Sequence, residues 1–310
     1  MRRKPSREWS PVLLPEIRDR QRDGLYRWVG EQREMLTDPD HPVGAPTSER
    51  VVARKALRVQ ADRVEEMARD VHRASLYWVS RDMTRLAAQA APGLPPWTPL
   101  AALPCATGLL AWATPASTPE SVSFGDHGEK LHGATRTFDA ALWTLRPEGL
   151  WVEILSHVGG TPPLTGVLSI RIANPDQPRT AEQDIAGTTE EEPAPELSIL
   201  ASAWLLMGQP KVAAVEQRSS VFPTGTKPQA EPDPVTVSIV DLRRVEHGEA
   251  EGRERTARRT YHRRWWVDGH WRQQACGPGR AHRRPVWIAP YVKGPDDAPL
   301  MQDKVRVWRR

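Results

Sequence analysis

The residues best equipped for chemistry lie near the end of the sequence, where Arg263, Arg264, Arg272, Arg280, Arg283 and Arg284 interleave with Trp265, Trp266, Trp271 and Trp287 around His270. A guanidinium is a planar, permanently charged fork that holds phosphate or carboxylate through paired hydrogen bonds. An indole offers a flat face on which a base can stack. Together they make the composition of a nucleic-acid-binding surface, with the arginines neutralising phosphates and Trp265, Trp266 or Trp271 supplying the stacking face. The plainer reading of the same residues is a sheet with indoles sealed on its inner side and arginines on its wet side. The composition fits both.

Other constellations are thinner. His262, His270, Cys276 and His282 are four potential metal ligands within 21 residues, but their intervals lack the close pairing of a zinc site. No metal or cofactor is expected, and His270 is read as a contact residue. Asp126, His127, Glu129 and His132 stand among Gly125, Gly128 and Gly133, which marks a polar loop tip. A nuclease needs several carboxylates converging on a cation. Near the basic tail there are only Asp268, Asp296, Asp297 and Asp303, and Asp268 is accounted for by a turn. The sequence has no P-loop, no G-x-G-x-x-G after a strand, no G-x-S-x-G elbow and no H-E-x-x-H, so an enzyme would need a site assembled from scattered residues.

Charge follows the same division. Residues 251–310 hold 13 Arg and 2 Lys against 6 Asp and Glu, a net +9, which leaves −5 on residues 1–250 of a chain whose total is +4. Five of the 13 Trp fall in this tail: the four above and Trp308. The 310 residues make one large or two modest domains. With 30 Pro and 21 Gly dividing the apolar material, long coiled coils and helical solenoids are not expected. Cys105 and Cys276 cannot form a disulfide framework, which points to a reducing, cytoplasmic setting. Met1-Arg2-Arg3-Lys4 is followed only by Val12-Leu13-Leu14 before Pro15, so no export signal is expected. The longest apolar run, Ile199 to Met207, falls well short of the roughly 20 residues that cross a bilayer, so no membrane partner is expected.

The elements that must position these residues change in period along the chain. Leu14, Ile17, Leu25, Trp28, Val29 and Leu36 predict a helix over 13–36. A second helix starts at Ser48 as N-cap, carries the stripe Leu57, Val64, Met67, Ala68, Val71, Trp78, and is expected to continue toward Ala91. Leu94-Pro95-Pro96-Trp97-Thr98-Pro99-Leu100 reads as an extended crossing. Gly108 to Ala113, Phe138 to Leu145, Leu150 to Leu155 and Val167 to Ile172 then read as strands, with Arg146-Pro147-Glu148-Gly149 turning the middle pair. Residues 173–195 read as an exposed loop. Glu196 to Met207 is apolar nearly all round, as a buried helix would be, and Val212 to Val215 and Val235 to Leu242 resume strands. Residues 246–259 read as a charged, disordered excursion. Asp268-Gly269 predicts a two-residue hairpin with Val267 facing His270, Trp266 facing Trp271 and Trp265 facing Arg272. Val286 to Ile288 and Val305 to Trp308 read as further strands.

The tail pattern is basic residues leading into Gly269-His270-Trp271-Arg272, a break at Gly277 and Gly279, and a basic strand with Trp287. It resembles the C-terminal region of the broad-range type V-A anti-CRISPR proteins that lower production of an RNA-guided nuclease, and of their relatives on phages, plasmids and bacterial chromosomes. The likeness extends faintly to Leu94-Pro95, Thr98-Pro99 and the helix end Leu205-Leu206-Met207. The resemblance implies an accessory protein that suppresses biogenesis of a target at the level of nascent chain and message. Only Gly269, His270, Trp271, Arg272 and Trp287 carry over. The chain departs from the pattern at Asp268, where a basic residue is usual, and in its long Pro-rich N-terminal half.

The expectation is therefore an α+β protein with N-terminal helices packed on a mostly antiparallel sheet, one buried helix and an Arg/Trp-rich C-terminal β-hairpin sheet. Its regions are 1–93 (helical), 94–245 (α+β core) and 246–310 (basic). The expected function is binding of RNA or of a ribonucleoprotein such as a translating complex. Two other readings stay open: a metal-dependent nuclease using the basic surface to hold substrate, and a protein–protein adaptor without nucleic-acid binding.

Overall fold

Leu14, Ile17, Leu25 and Val29 bury one stripe of α1 (Leu14–Thr37), and Ala61, Ala68 and Val71 bury one stripe of α2 (Ser48–Arg73), so the two helices share a face toward a sheet. A computed structural model of the chain describes residues 9–38, 48–118, 122–124, 130–132, 136–186, 194–220, 235–243, 262–295 and 298–299. After α2 come β1 (Ser75–Val79), α3 (Arg81–Ala90), α4 (Pro99–Ala102) and β2 (Thr107–Ser117). Strands β3 (Val122–Phe124), β4 (Lys130–His132), β5 (Thr137–Arg146), β6 (Gly149–His157) and β7 (Leu164–Ile172) follow, then α5 (Ala181–Ala186) and α6 (Pro195–Met207). The chain continues through β8 (Ala213–Ser220), β9 (Val235–Leu242), β10 (Trp265–Val267), β11 (His270–Cys276), β12 (His282–Ile288) and β13 (Tyr291–Lys293).

The main sheet has seven strands in the order β7-β6-β5-β2-β1-β9-β8. Its centre, β2-β1-β9, is parallel and every other neighbour is antiparallel. Side chains alternate between two cores. Leu76, Trp78, Leu109, Leu142 and Leu155 meet α1 and α2 on one face. Leu110, Trp112, Trp143, Val152 and Ile154 meet Met83 of α3 and Leu197, Leu200 and Trp204 of α6 on the other. The fold is α+β, with helices on a mixed, mostly antiparallel sheet and small C-terminal two-stranded ladders. Strand β9 has the bounds its pattern predicts, and α6 is buried on nearly all sides, down to Glu196 at 0% exposure.

Three expectations fail, each for a physical reason. The helix expected to run from Ser48 toward Ala91 stops at Arg73, because Ser75-Leu76-Tyr77-Trp78-Val79 is a β-branched and aromatic run that the sheet buries on both sides. Helix α3 then starts afresh, with the Ser80 hydroxyl accepting from the Met83 N–H. Residues 173–195 are not all exposed loop. Arg179 exchanges both backbone hydrogen bonds with Trp97, and Asp184, 1% exposed, takes the Arg179 guanidinium and the Ser198 hydroxyl. The third concerns Asp268-Gly269 and bears on the site. The expected excursion over 246–259, the strand at Val305 to Trp308 and, of the glycine-rich cluster, Asp126, His127 and Glu129 lie outside the described residues, while His132 ends β4. Among the described residues no helix is long and apolar enough to cross a membrane.

Candidate nucleic-acid interface

Asp268-Gly269 is not a hairpin turn. A type I′ turn needs positive φ at both central residues, and neither Asp268 nor Gly269 is among the positive-φ residues. Residues 265–276 instead run antiparallel to 282–293 in a single register, from Trp265 opposite Lys293 to Cys276 opposite His282. The pairing lapses only at Asp268-Gly269, across from Ala289-Pro290, where proline has no N–H to donate. The chain reverses at Gly277 to Ala281, where Gly277 (φ 76°), Gly279 (φ 59°) and Arg280 (φ 57°) adopt left-handed backbone. The predicted cross-strand pairs of Trp266 with Trp271 and Trp265 with Arg272 are therefore absent: Trp266 faces Val292 and Trp271 faces Trp287. The result is a ribbon of two two-stranded ladders in one register, β10–β13 and β11–β12, the longer of them roughly 23 Å at about 3.3 Å per residue.

Alternation divides the β11–β12 part of the ribbon into two sides. On the inner side Trp271 and Trp287 pack edge to face at 5.3 Å, and Trp287 is 8% exposed against α6 and the main core. Three hydrogen bonds fasten this side: Trp271 Nε1 donates to Ala90 O (2.9 Å), Gln273 Nε2 to Pro96 O (2.9 Å) and Trp287 N to Gln209 Oε1 (2.9 Å). Gly269 completes the seat, since a Cβ there would lie 2.5 Å from Trp287 Cζ2.

On the outer side, by the same alternation, are His270, Arg272, Gln274 and Cys276, opposite Ile288, Val286, Arg284 and His282. Arg272 and Arg284 are exposed, and Arg272 donates to Gln274 Oε1. His270 Nδ1 is 3.0 Å from Asp268 O. Arg280 is exposed at the tip, and Arg283, also exposed, lies opposite Ala275 on the side of Trp271 and Trp287, with its Nη1 3.4 Å from Arg280 O. At the other end Arg263 is exposed, Arg264 Nε donates to Ala298 O (2.8 Å), and the Lys293 ammonium lies 5.7 Å from the Trp265 ring centre. Trp266 is 56% exposed, with its Nε1 donating to Asp268 Oδ1 (2.9 Å).

The arginines of the ribbon differ in their partners from many of those in the main domain. Arg33, Arg63, Arg136, Arg146, Arg179 and Arg218 each pair with a carboxylate. Arg272, Arg280, Arg283 and Arg284 have no such pair among the described residues, nor do Arg263 and Arg264. A contrasting arginine cluster surrounds Trp151, where Arg63, Arg146 and Arg171 lie 5.5, 5.6 and 5.5 Å from the ring centre. There Glu153, Glu66 and Asp70 neutralise Arg63 and Arg146, and burial pushes the Glu153 carboxyl above its ordinary range. That cluster balances its charges with nearby carboxylates, whereas among the described residues the ribbon's arginines have none.

Of the residues expected to form one surface, the fold brings Arg272, Arg284 and His270 onto the ribbon's outer side and Arg280 to its tip, while Arg283 is exposed on the opposite side next to the tip. It turns Trp271 and Trp287 inward. Gln209, Ala90 and Pro96, which hold the ribbon, carry no sequence signal because two of the three act through backbone carbonyls. Cys276 and His282 face each other, but among the described residues no three His, Cys, Asp or Glu side chains converge as a metal site would require. Fold and site together define an α+β protein bearing a basic β-ribbon. No protein-family model matches the chain, and no curated protein matches it.

Proposed function

We propose that the chain is an RNA-binding protein that holds the phosphate backbone on the outer side and tip of its C-terminal ribbon. One observation carries the reading: Arg272, Arg280, Arg283 and Arg284 are gathered on one short hairpin, exposed, with no carboxylate neutralising them among the described residues. Uncompensated like charges repel, so a surface that keeps them together gains most from an anionic ligand. Arginine rather than lysine suits the fork geometry of a phosphate. The ribbon is fastened to α3, to the Pro96 crossing and to the residues after α6, so its charges are held in fixed relation, which lowers the entropic cost of binding. The resemblance to the type V-A anti-CRISPR proteins adds a setting for such binding, a ribonucleoprotein engaged in producing the target. Fluorescence anisotropy with a labelled RNA tests the proposal. Arg272→Ala with Arg284→Ala is expected to weaken binding by about tenfold or more, at about 1 kcal/mol or more per lost phosphate contact. Unchanged affinity in that double variant would make the charge a structural surface only.

A further inference from the structure

The proposed RNA-binding function is the premise here, and the placement of indoles against guanidiniums narrows its ligand further. A site for unpaired RNA is built from successive aromatic faces, each stacking one base. The ribbon withdraws most of its indoles from that use. Trp287 is 8% exposed, and Trp271 packs edge-on against it and gives its N–H to Ala90. Trp265 is half-buried with the Lys293 ammonium near its face. Trp266, 56% exposed, is the one ribbon indole with a broad open face, and its N–H is held by Asp268. Against that one face stand Arg272 and Arg284 on the outer side, Arg280 at the tip and Arg283 exposed beside it.

A double helix calls for this balance. Its bases are already stacked inside, its phosphates form two outer rows, and a protein that grips it relies on backbone contacts and shape. The β11–β12 ladder, roughly 23 Å long at about 3.3 Å per residue, is long enough to touch both rows. We infer that the ribbon's ligand is a double-helical segment of RNA, gripped by its phosphates, rather than an unpaired strand.

Competition against a labelled RNA, using the full chain at about 0.1 M salt, tests this. The competitors are an RNA duplex of about 16 base pairs and an unstructured single strand at equal phosphate concentration. The duplex is expected to compete about fivefold better or more, with Trp266→Ala shifting duplex affinity less than about twofold and Arg272→Ala with Arg284→Ala costing about tenfold. Arg272→Gln with Arg284→Gln, read beside melting temperature, separates lost contacts from lost folding. Equal or stronger competition by the single strand, or a Trp266→Ala loss as large as that of the arginine pair, would overturn the inference and leave RNA binding standing. Failure of both RNAs to bind above a neutral control would overturn the proposed function as well.

Discussion

Trp271 and Arg272 are neighbours in the chain and face opposite ways, one toward Ala90 and Trp287, the other toward solvent. The set Gly269, His270, Trp271, Arg272 and Trp287 therefore splits into three packing residues and two surface residues. An alanine at position 269 would place its Cβ 2.5 Å from the Trp287 ring. Gly269→Ala is expected to cost about 1–3 kcal/mol, as overpacking does, and Trp287→Ala about 3–5 kcal/mol. Trp266→Ala, at an exposed ring, should stay within about 0.5 kcal/mol. Urea midpoints of the three variants check the order, and equal effects would contradict the inward seat of Trp287. The sequence makes the residue types legible here, but not their direction. Asp268-Gly269 matches a tight turn, and only the long-range seat of Trp287 on the core decides that the chain passes straight through.

Helix α6 was legible as an element because an all-round apolar segment has one stable home, between two layers. Strand β9 was legible because its β-branched run is bounded on both sides. Strand β1 was hidden: Trp78 falls on the stripe of α2, and the choice of strand is made by β2 and β9, which lie far away in sequence. The carboxylate of Glu196 in α6 gives a test at this scale. Burial pushes its pKa above the ordinary 4.5, despite the helix's own N–H and the Arg136 guanidinium. The folded state thus binds this proton more tightly than the unfolded chain, so the group disfavours folding progressively as pH rises above 4.5 and through its folded value. Glu196→Gln is expected to flatten that decline. Denaturant titrations at successive pH values would show it, and an unchanged slope in the variant would assign the pH dependence elsewhere.

Across the whole molecule, the net −5 of residues 1–250 and the +9 of residues 251–310 mark a division of labour. The main domain pairs many of its arginines with carboxylates, whereas among the described residues those of the ribbon have no such pair. The bond from Trp287 N to Gln209 Oε1 is one of the ties between them. Gln209→Ala should leave that buried N–H unsatisfied, costing about 1–3 kcal/mol. Hydrogen exchange should then rise in β11 and β12 before it rises in β1, and uniform loosening of the main sheet would show that the ribbon is not a separate unit.

The most direct measurement is the slope of log affinity for RNA against log salt concentration, in the wild type and in the variant carrying Arg272→Ala, Arg280→Ala, Arg283→Ala and Arg284→Ala. Each phosphate contact contributes about 0.7–0.9 to the slope, so losing four should reduce its magnitude by roughly 3. A wild-type slope near zero, or one that the four substitutions leave in place, would contradict the account.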